Sequence, residues 1–162
     1  IAAVRQMIPN AVDEWTMLVL ACMDEFARNF EAAQAAYTMI ERLAGSALIA
    51  CRQGDEASRR DARAALNLYQ QAEAWWEQSK DVRGLAIARY RLVETYRRLG
   101  ESARAQALFQ QLHTLVYNSD CLSSHRQRIE TALEKLEAGE ALPAWDWRDY
   151  DDRFRVSILF RG

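Results

Sequence analysis

Residues 92–109 read LVETYRRLGESARAQALF, and this stretch decides the fold. Apolar side chains recur at three- and four-residue steps on both sides of Gly100, which is the spacing of one face of an α-helix. Glycine tolerates the left-handed backbone conformation in which many helices end. The stretch therefore predicts a helical hairpin, with one helix closed by Gly100 and the next running over 102–117.

Apolar series with the same spacing extend in both directions and predict an all-α domain over residues 1–138. The other predicted helices cover about 11–28, 33–54, 65–79, 85–99 and 125–138. Gly54 is expected to end the second of these helices, with Gly45 as an earlier alternative, and 79–84 is expected to form a turn.

The first predicted helix has an apolar side that includes Leu18, Val19 and Phe26. These residues recur mostly at helical steps, so we expect them to face the core.

Residues 139–162 change character and predict an extended or short-strand tail. Pro143 disfavours a helix, and four later apolar residues alternate with their neighbours. Two interpretations stay open: the tail caps the last helix, or it forms an arm that pairs with a partner, a second copy or a further domain. Trp145 and Trp147 are the candidate contact residues of this tail.

A small residue precedes an aromatic residue by four positions at three places in the chain. The pairs are Ala33 with Tyr37, Ala65 with Tyr69, and Ala105 with Phe109. Small residues let neighbouring helices approach closely, and the ring fills the space between successive hairpins. Such a repeat is typical of stacked helix pairs, because each pair needs a neighbour to bury its apolar face.

The best of these units resembles the tetratricopeptide repeat, whose pattern is a Leu, a small residue, a Tyr, a turn Gly, an Ala and a Phe. The matching residues are Leu92, Val93, Tyr96, Gly100, Ala105 and Phe109. The similarity covers about residues 13–117, and 81–86 also resembles the longer repeats of bacterial signalling and transcription regulators. The resemblance implies a right-handed superhelix of about three hairpins that binds a protein or peptide on its concave face.

The resemblance also implies where a partner binds, on the first helix of each hairpin. The residues that it selects are Arg52, Tyr90, Glu94, Arg97 and Arg98. Such side chains offer charges and hydrogen bonds to a peptide, and the alternative is an ordinary solvated helix face. The Lys and Asn set of the chaperone-binding members is absent, so the sequence does not predict a chaperone adaptor.

Trp75 and Trp76 are adjacent on a predicted helix. Consecutive helical residues point about 100° apart, so we expect one of the two rings to be exposed. An exposed Trp is either a contact between helices or part of an interface.

The composition disfavours several classes of partner. The formal charge is −2, with both signs interspersed, and this gives no broad basic field for nucleic acid or a membrane surface. The longest apolar run, from Met17 to Met23, is far shorter than the roughly 20 residues that span a bilayer. Three Cys residues without C-x-x-C spacing indicate buried reduced thiols, which predicts a cytoplasmic location.

The sequence offers no catalytic or cofactor motif. Cys121 and His125 have a spacing that suits two metal ligands on one helix, but no second pair completes a tetrahedral site. Neither His113 nor His125 neighbours a nucleophile and a carboxylate, and the Gly residues are scattered rather than gathered in a phosphate-binding loop. We therefore predict no catalysis, no metal and no cofactor.

The chain begins at Ile1 rather than at Met, so we expect a fragment or a processed product. The predicted function is a non-catalytic scaffold or adaptor that binds a protein or peptide. Two alternatives stay open: a peptide- or ligand-sensing module of a bacterial regulator, and part of an enzyme whose catalytic domain is missing.

Overall fold

The computed structural model describes residues 14–145, with side chains from residue 16 onward. The α-helices in this range are α1 (Glu14–Phe26), α2 (Phe30–Met39), α3 (Leu43–Ser58), α4 (Ala62–Gln78), α5 (Val82–Arg98), α6 (Ser102–Tyr117) and α7 (Arg126–Glu137). A 3₁₀ helix, Asp120–His125, lies between α6 and α7. Residues 14–145 contain no strand, so the all-α prediction is confirmed for this part of the chain.

Each helix packs against the next one in sequence, and α3 also contacts α5. One continuous apolar core runs through these contacts and includes Tyr69 and Trp76 of α4, Phe109 of α6 and the later residue Trp145. The order of contacts is that of successive hairpins. The right-handed superhelix stays a prediction.

Five of the described helices end in the same kind of turn. The residues with positive φ, between 54° and 75°, are Arg28, Glu41, Lys80, Gly100 and Gly139. At Lys80 the backbone N–H donates to Glu77 O (3.1 Å), and the next N–H, of Asp81, donates to Trp76 O (3.0 Å). This is the Schellman arrangement, which satisfies carbonyl groups left open at a helix end. The predicted closure at Gly100 is confirmed, and three other helices close in this way without glycine.

Three glycines lie inside helices, where they make room for aromatic rings. The pairs are Gly45 with Tyr37, Gly54 with Tyr69, and Gly84 with Trp76. A Cβ on any of the three would lie within 2.5 Å of its ring, which is closer than van der Waals contact allows. The predictions that Gly54 or Gly45 ends a helix, and that Gly84 lies in a turn, are therefore wrong.

The predicted second helix, 33–54, is two helices. It breaks after Met39, where Glu41 has a φ of 54°, and α3 begins at Leu43. The predicted turn at 79–84 is shorter than expected because Asp81 caps α5. Its carboxylate accepts hydrogen bonds from the backbone N–H groups of Arg83 (3.1 Å) and Gly84 (3.0 Å), so the helix begins at Val82.

The core side of α1 differs from the prediction. Leu18 is buried as expected, but the side chains of Val19 and Phe26 are 38% and 79% exposed. The buried side of α1 contains Asp24 and Glu25 instead. A hydrophobic pattern assigns charged residues to the surface, and here two of them are buried because they have polar partners.

Candidate functional site

Carboxylate and Arg side chains join α1, α3 and α5 along one side of the stack. We call this surface the odd-helix face and define it by Glu25, Arg52, Asp55, Arg91 and Glu94. It contains two similar clusters, each made of a carboxylate, a Tyr and an Arg. In each case a carboxylate on an odd-numbered helix accepts a hydrogen bond from a Tyr on the following helix and pairs with an Arg on the next odd-numbered helix.

The first cluster joins α1, α2 and α3. The Tyr37 hydroxyl donates to Glu25 Oε2 (3.3 Å), and Arg52 Nη1 lies 2.8 Å from Glu25 Oε1. Burial, followed by the hydrogen bond with Cys22 and the charge of Glu25, raises the pKa of Tyr37 well above its ordinary value. Tyr37 therefore stays protonated and acts as a fixed donor to Glu25.

The second cluster joins α3, α4 and α5. The Tyr69 hydroxyl donates to Asp55 Oδ1 (2.7 Å), and Arg91 Nε donates to the same oxygen (2.9 Å). Burial and the Asp55 carboxylate raise the pKa of Tyr69. Burial alone would lower the pKa of Arg91, but Asp55 and other neighbours outweigh it and the pKa is raised. Arg91 is therefore a permanent cation held in one orientation.

The third hairpin departs from this pattern. Phe109 stands on α6 in the place of the two Tyr residues and has no hydroxyl to donate. Glu94 of α5 accepts instead from Arg97 (2.7 and 2.8 Å) and from the backbone N–H of Leu142 (3.2 Å). A segment from the C-terminal side of the chain thus supplies the donor.

Residues 139–145, which we call the tail segment, run antiparallel to α5 without regular secondary structure. Arg97 donates to Gly139 O (3.3 Å), and Tyr90 and Arg91 donate to Pro143 O and Trp145 O (2.5 and 2.9 Å). With the Leu142 N–H bond to Glu94, every one of these contacts uses a backbone atom of the tail segment. The arrangement holds an extended peptide by its main chain.

Trp145 is the anchor of the tail segment, with only 2% of its surface exposed. Its ring packs edge-on against Tyr90, with 5.1 Å between centroids, and lies 4.9 Å from the His125 ring. The guanidinium carbon of Arg128 lies 5.5 Å from the indole centroid, within the range of a cation–π contact. We call this surface the tail site; its residues are Tyr90, Arg91, Glu94, Arg97, His125 and Arg128.

The structure brings together most of the residues predicted for the partner face. Tyr90, Glu94 and Arg97 all belong to the tail site. Arg52 lies on the odd-helix face beside Glu25, and the exposed Arg98 donates to Ser58 Oγ (2.6 Å) on α3. Their role in binding a partner stays a prediction.

The four predicted Trp contacts fall in different places. Trp76 is fully buried against Gly84, and Trp75 is half-buried against the core, so neither ring is largely exposed. Trp145 is buried in the tail site, and Trp147 lies outside the described residues.

A second concave feature lies at the turn between α1 and α2. It is a cleft of about 470 Å³, and its lining includes Arg28, Glu31, Glu56 and Arg60. Arg28 forms an ion pair with Glu56 across it. The mixture of charges does not favour either an anionic or a cationic ligand.

The three cysteines, all within the described residues, form no disulfide and differ in exposure. Cys51 is buried, Cys22 is half-buried and Cys121 is exposed, so the prediction of buried thiols is wrong for Cys121. Burial and then the Asp55 charge raise the pKa of the Cys51 thiol. Among residues 14–145 no group of three His, Cys, Asp or Glu residues is placed to hold a metal. In the same range no helix is long and apolar enough to cross a membrane.

Sequence reasoning missed Asp55, Arg91 and Arg128 as parts of the site. Arg91 meets Asp55 and Trp145, which are 36 and 54 residues away in sequence. No local pattern reports such contacts. The repeat gave one usable signal, because the buried hydroxyls of Tyr37 and Tyr69 each need a hydrogen-bond partner.

No protein-family model, curated protein or solved structure matches the chain.

Proposed function

We propose that this chain is a non-catalytic interaction domain that binds an extended segment of another protein on the face of α5 and α7. We further propose that its hairpins form a stack similar to tetratricopeptide repeats. The successive packing of the helices and the contact between α3 and α5 support that likeness. Three thiols that form no disulfide support a reducing, cytoplasmic location.

The observation that carries the proposal is the tail segment on α5. Four side chains of one helix contact four backbone atoms of an extended chain, and an aromatic side chain fills the space beside them. A surface that holds one extended chain by its main chain has the donors and acceptors to hold another.

A peptide selection tests the proposal. Peptides selected from a random library on the immobilised chain are measured against Glu94→Arg, which removes the acceptor for the peptide N–H. The control is Gln110→Arg, which places the same charge at an exposed position of α6 outside the tail site. We expect the Glu94→Arg variant to lose binding by about tenfold or more, since a buried polar group of the peptide loses its partner. Equal binding to both variants, or no selected peptide, contradicts the proposal.

A further inference from the structure

Different parts of the tail segment provide affinity and specificity: its backbone provides the hydrogen bonds, and one side chain provides the selection of sequence. Its hydrogen bonds to α5 all use backbone atoms, which any extended peptide supplies. Ala141 and Ala144 are exposed, Leu142 and Pro143 are half-buried, and only Trp145 is fully enclosed. The ring of that one residue therefore determines which sequence fits.

The side chains around Trp145 make contacts that favour a Trp ring. The Tyr90 ring forms a T-shaped pair with the indole, and Arg128 places a cation over the indole. Trp is the aromatic side chain that a cation favours most. An aliphatic side chain would lose both contacts, and a smaller side chain would leave part of the pocket unfilled.

The tail segment follows the turn that closes α7 at Gly139. Gly139 has a φ of 73°, and no atom lies within 4 Å of where its Cβ would be. The core side chains of α5, such as Leu92 and Val93, are buried within the helical core. Undocking the segment therefore exposes the rings of Trp145 and Tyr90 and leaves these other α5 side chains buried, which is the pattern of a unit that opens locally.

From these observations we infer that residues 140–145 are an internal ligand, and that the partner's segment is an extended peptide with a Trp, which displaces them. This inference rests on the proposed function. A tethered ligand competes at an effective concentration on the order of millimolar, so it raises the apparent Kd of a free peptide by the reciprocal of the fraction of time that the site is open. Partner binding is then an exchange of one Trp for another.

The test is fluorescence polarisation with a labelled peptide of the sequence of residues 140–145, titrated with the full chain. Trp145→Ala empties the pocket, and we expect it to bind the peptide about tenfold or more tightly than the unaltered chain does. A peptide with Ala in place of Trp is expected to bind neither the unaltered chain nor the Trp145→Ala variant. Trp75→Ala is the matched control, because it removes a Trp from α4 and is expected to bind like the unaltered chain.

A second variant keeps Trp145 and is used if circular dichroism shows that Trp145→Ala does not fold. Leu142→Pro removes the N–H that donates to Glu94, and we expect it also to raise the affinity for the free peptide, by a smaller factor. The inference is overturned if the unaltered chain and both variants bind the 140–145 peptide with equal affinity. It is also overturned if the peptide without Trp binds as tightly as the peptide with Trp. A dimer formed by exchange of the tail segment between two copies, seen by light scattering, overturns it too.

Failure here is distinguishable from failure of the proposed function. If the selected peptides depend on Glu94 but lack Trp and do not compete with the 140–145 peptide, the proposed binding face is supported and the inference of an internal ligand is contradicted. If no peptide depends on Glu94, both the proposed function and the inference of an internal ligand are contradicted.

Discussion

The ring of Trp145 packs edge-on against the ring of Tyr90, with 5.1 Å between their centroids. The Tyr90 hydroxyl also donates to the carbonyl oxygen of Pro143, two residues earlier. One side chain of α5 thus holds both the anchor and the main chain of the tail segment. Edge-to-face aromatic pairs contribute about 0.5–1.5 kcal/mol beyond the area that they bury.

Tyr90→Phe is expected to loosen the tail segment without removing its ring contact. Loss of the hydrogen bond to Pro143 costs about 1 kcal/mol, which raises the rate of amide exchange at Leu142 by about fivefold. Exchange measured by NMR checks this, with Tyr96→Phe as the control because its hydroxyl accepts from Gln70 instead. Unchanged exchange at Leu142 in Tyr90→Phe would mean that the hydroxyl does not hold the segment.

Arg91→Ala is expected to destabilise the whole stack as well as the tail segment. Arg91 and Asp55 are only 20% and 24% exposed, so the loss leaves a partly buried carboxylate without its cation. The expected cost in free energy of unfolding is about 2 kcal/mol, between the values for exposed and for buried pairs.

Chemical denaturation of matched variants checks this difference. Arg104→Ala breaks the pair with Glu101, in which the Arg side chain is 69% exposed, and is expected to cost about 0.5 kcal/mol or less. Equal costs for the two variants would show that the Arg91 pair is no more than a surface contact.

Gly84→Ala is expected to destabilise the fold although Ala is the better helix former. The new Cβ would lie 2.3 Å from the Trp76 ring, and overpacking of this kind costs about 1–3 kcal/mol. Denaturation midpoints check the sign, and the double variant Gly84→Ala with Trp76→Leu is expected to cost less than the sum of the two single changes. Simple additivity would contradict direct packing of the ring on Gly84.

Stability is expected to fall in alkaline solution because of three buried Tyr residues. Burial raises the pKa values of Tyr37, Tyr69 and Tyr90 above the ordinary value of about 10 that applies in the unfolded chain. A pKa that is raised on folding stabilises the native state fully below about pH 10, and this contribution is lost as the pH rises further.

Tyrosinate absorbance during an alkaline titration checks this expectation. We expect these three hydroxyls to ionise only as the helices unfold, and Tyr37→Phe to make the stability less dependent on pH. Ionisation of all the Tyr residues near pH 10 with native helicity retained would be the contrary result.

The end of α5 and the start of α6 were predictable because a local signal marked them. The predicted range of α6, 102–117, agrees with Ser102–Tyr117 because Gly100 supplies the positive φ of the preceding turn. The break between α2 and α3 was missed because Glu41 adopts the same conformation without glycine. Propensity gives no warning there, because the turn is held by backbone hydrogen bonds that any such residue supplies, from Glu41 N–H to Thr38 O (3.1 Å) and from Arg42 N–H to Tyr37 O (2.9 Å).

The site was predictable only in part. The repeat resemblance selected Tyr90, Glu94 and Arg97, which lie together along one face of α5 because they are three and four residues apart. It did not predict that Trp145 would lie on that face, because a contact across more than 50 residues depends on how the helices stack.

The most direct test of the account is amide exchange in the ¹⁵N-labelled chain with an excess of unlabelled 140–145 peptide. We expect the free chain to protect the Leu142 amide, and the peptide to speed its exchange by about tenfold while the amides of α5 keep their protection. Exchange of Leu142 at the rate of an unstructured chain without peptide, or unchanged exchange with bound peptide, would be the contrary result.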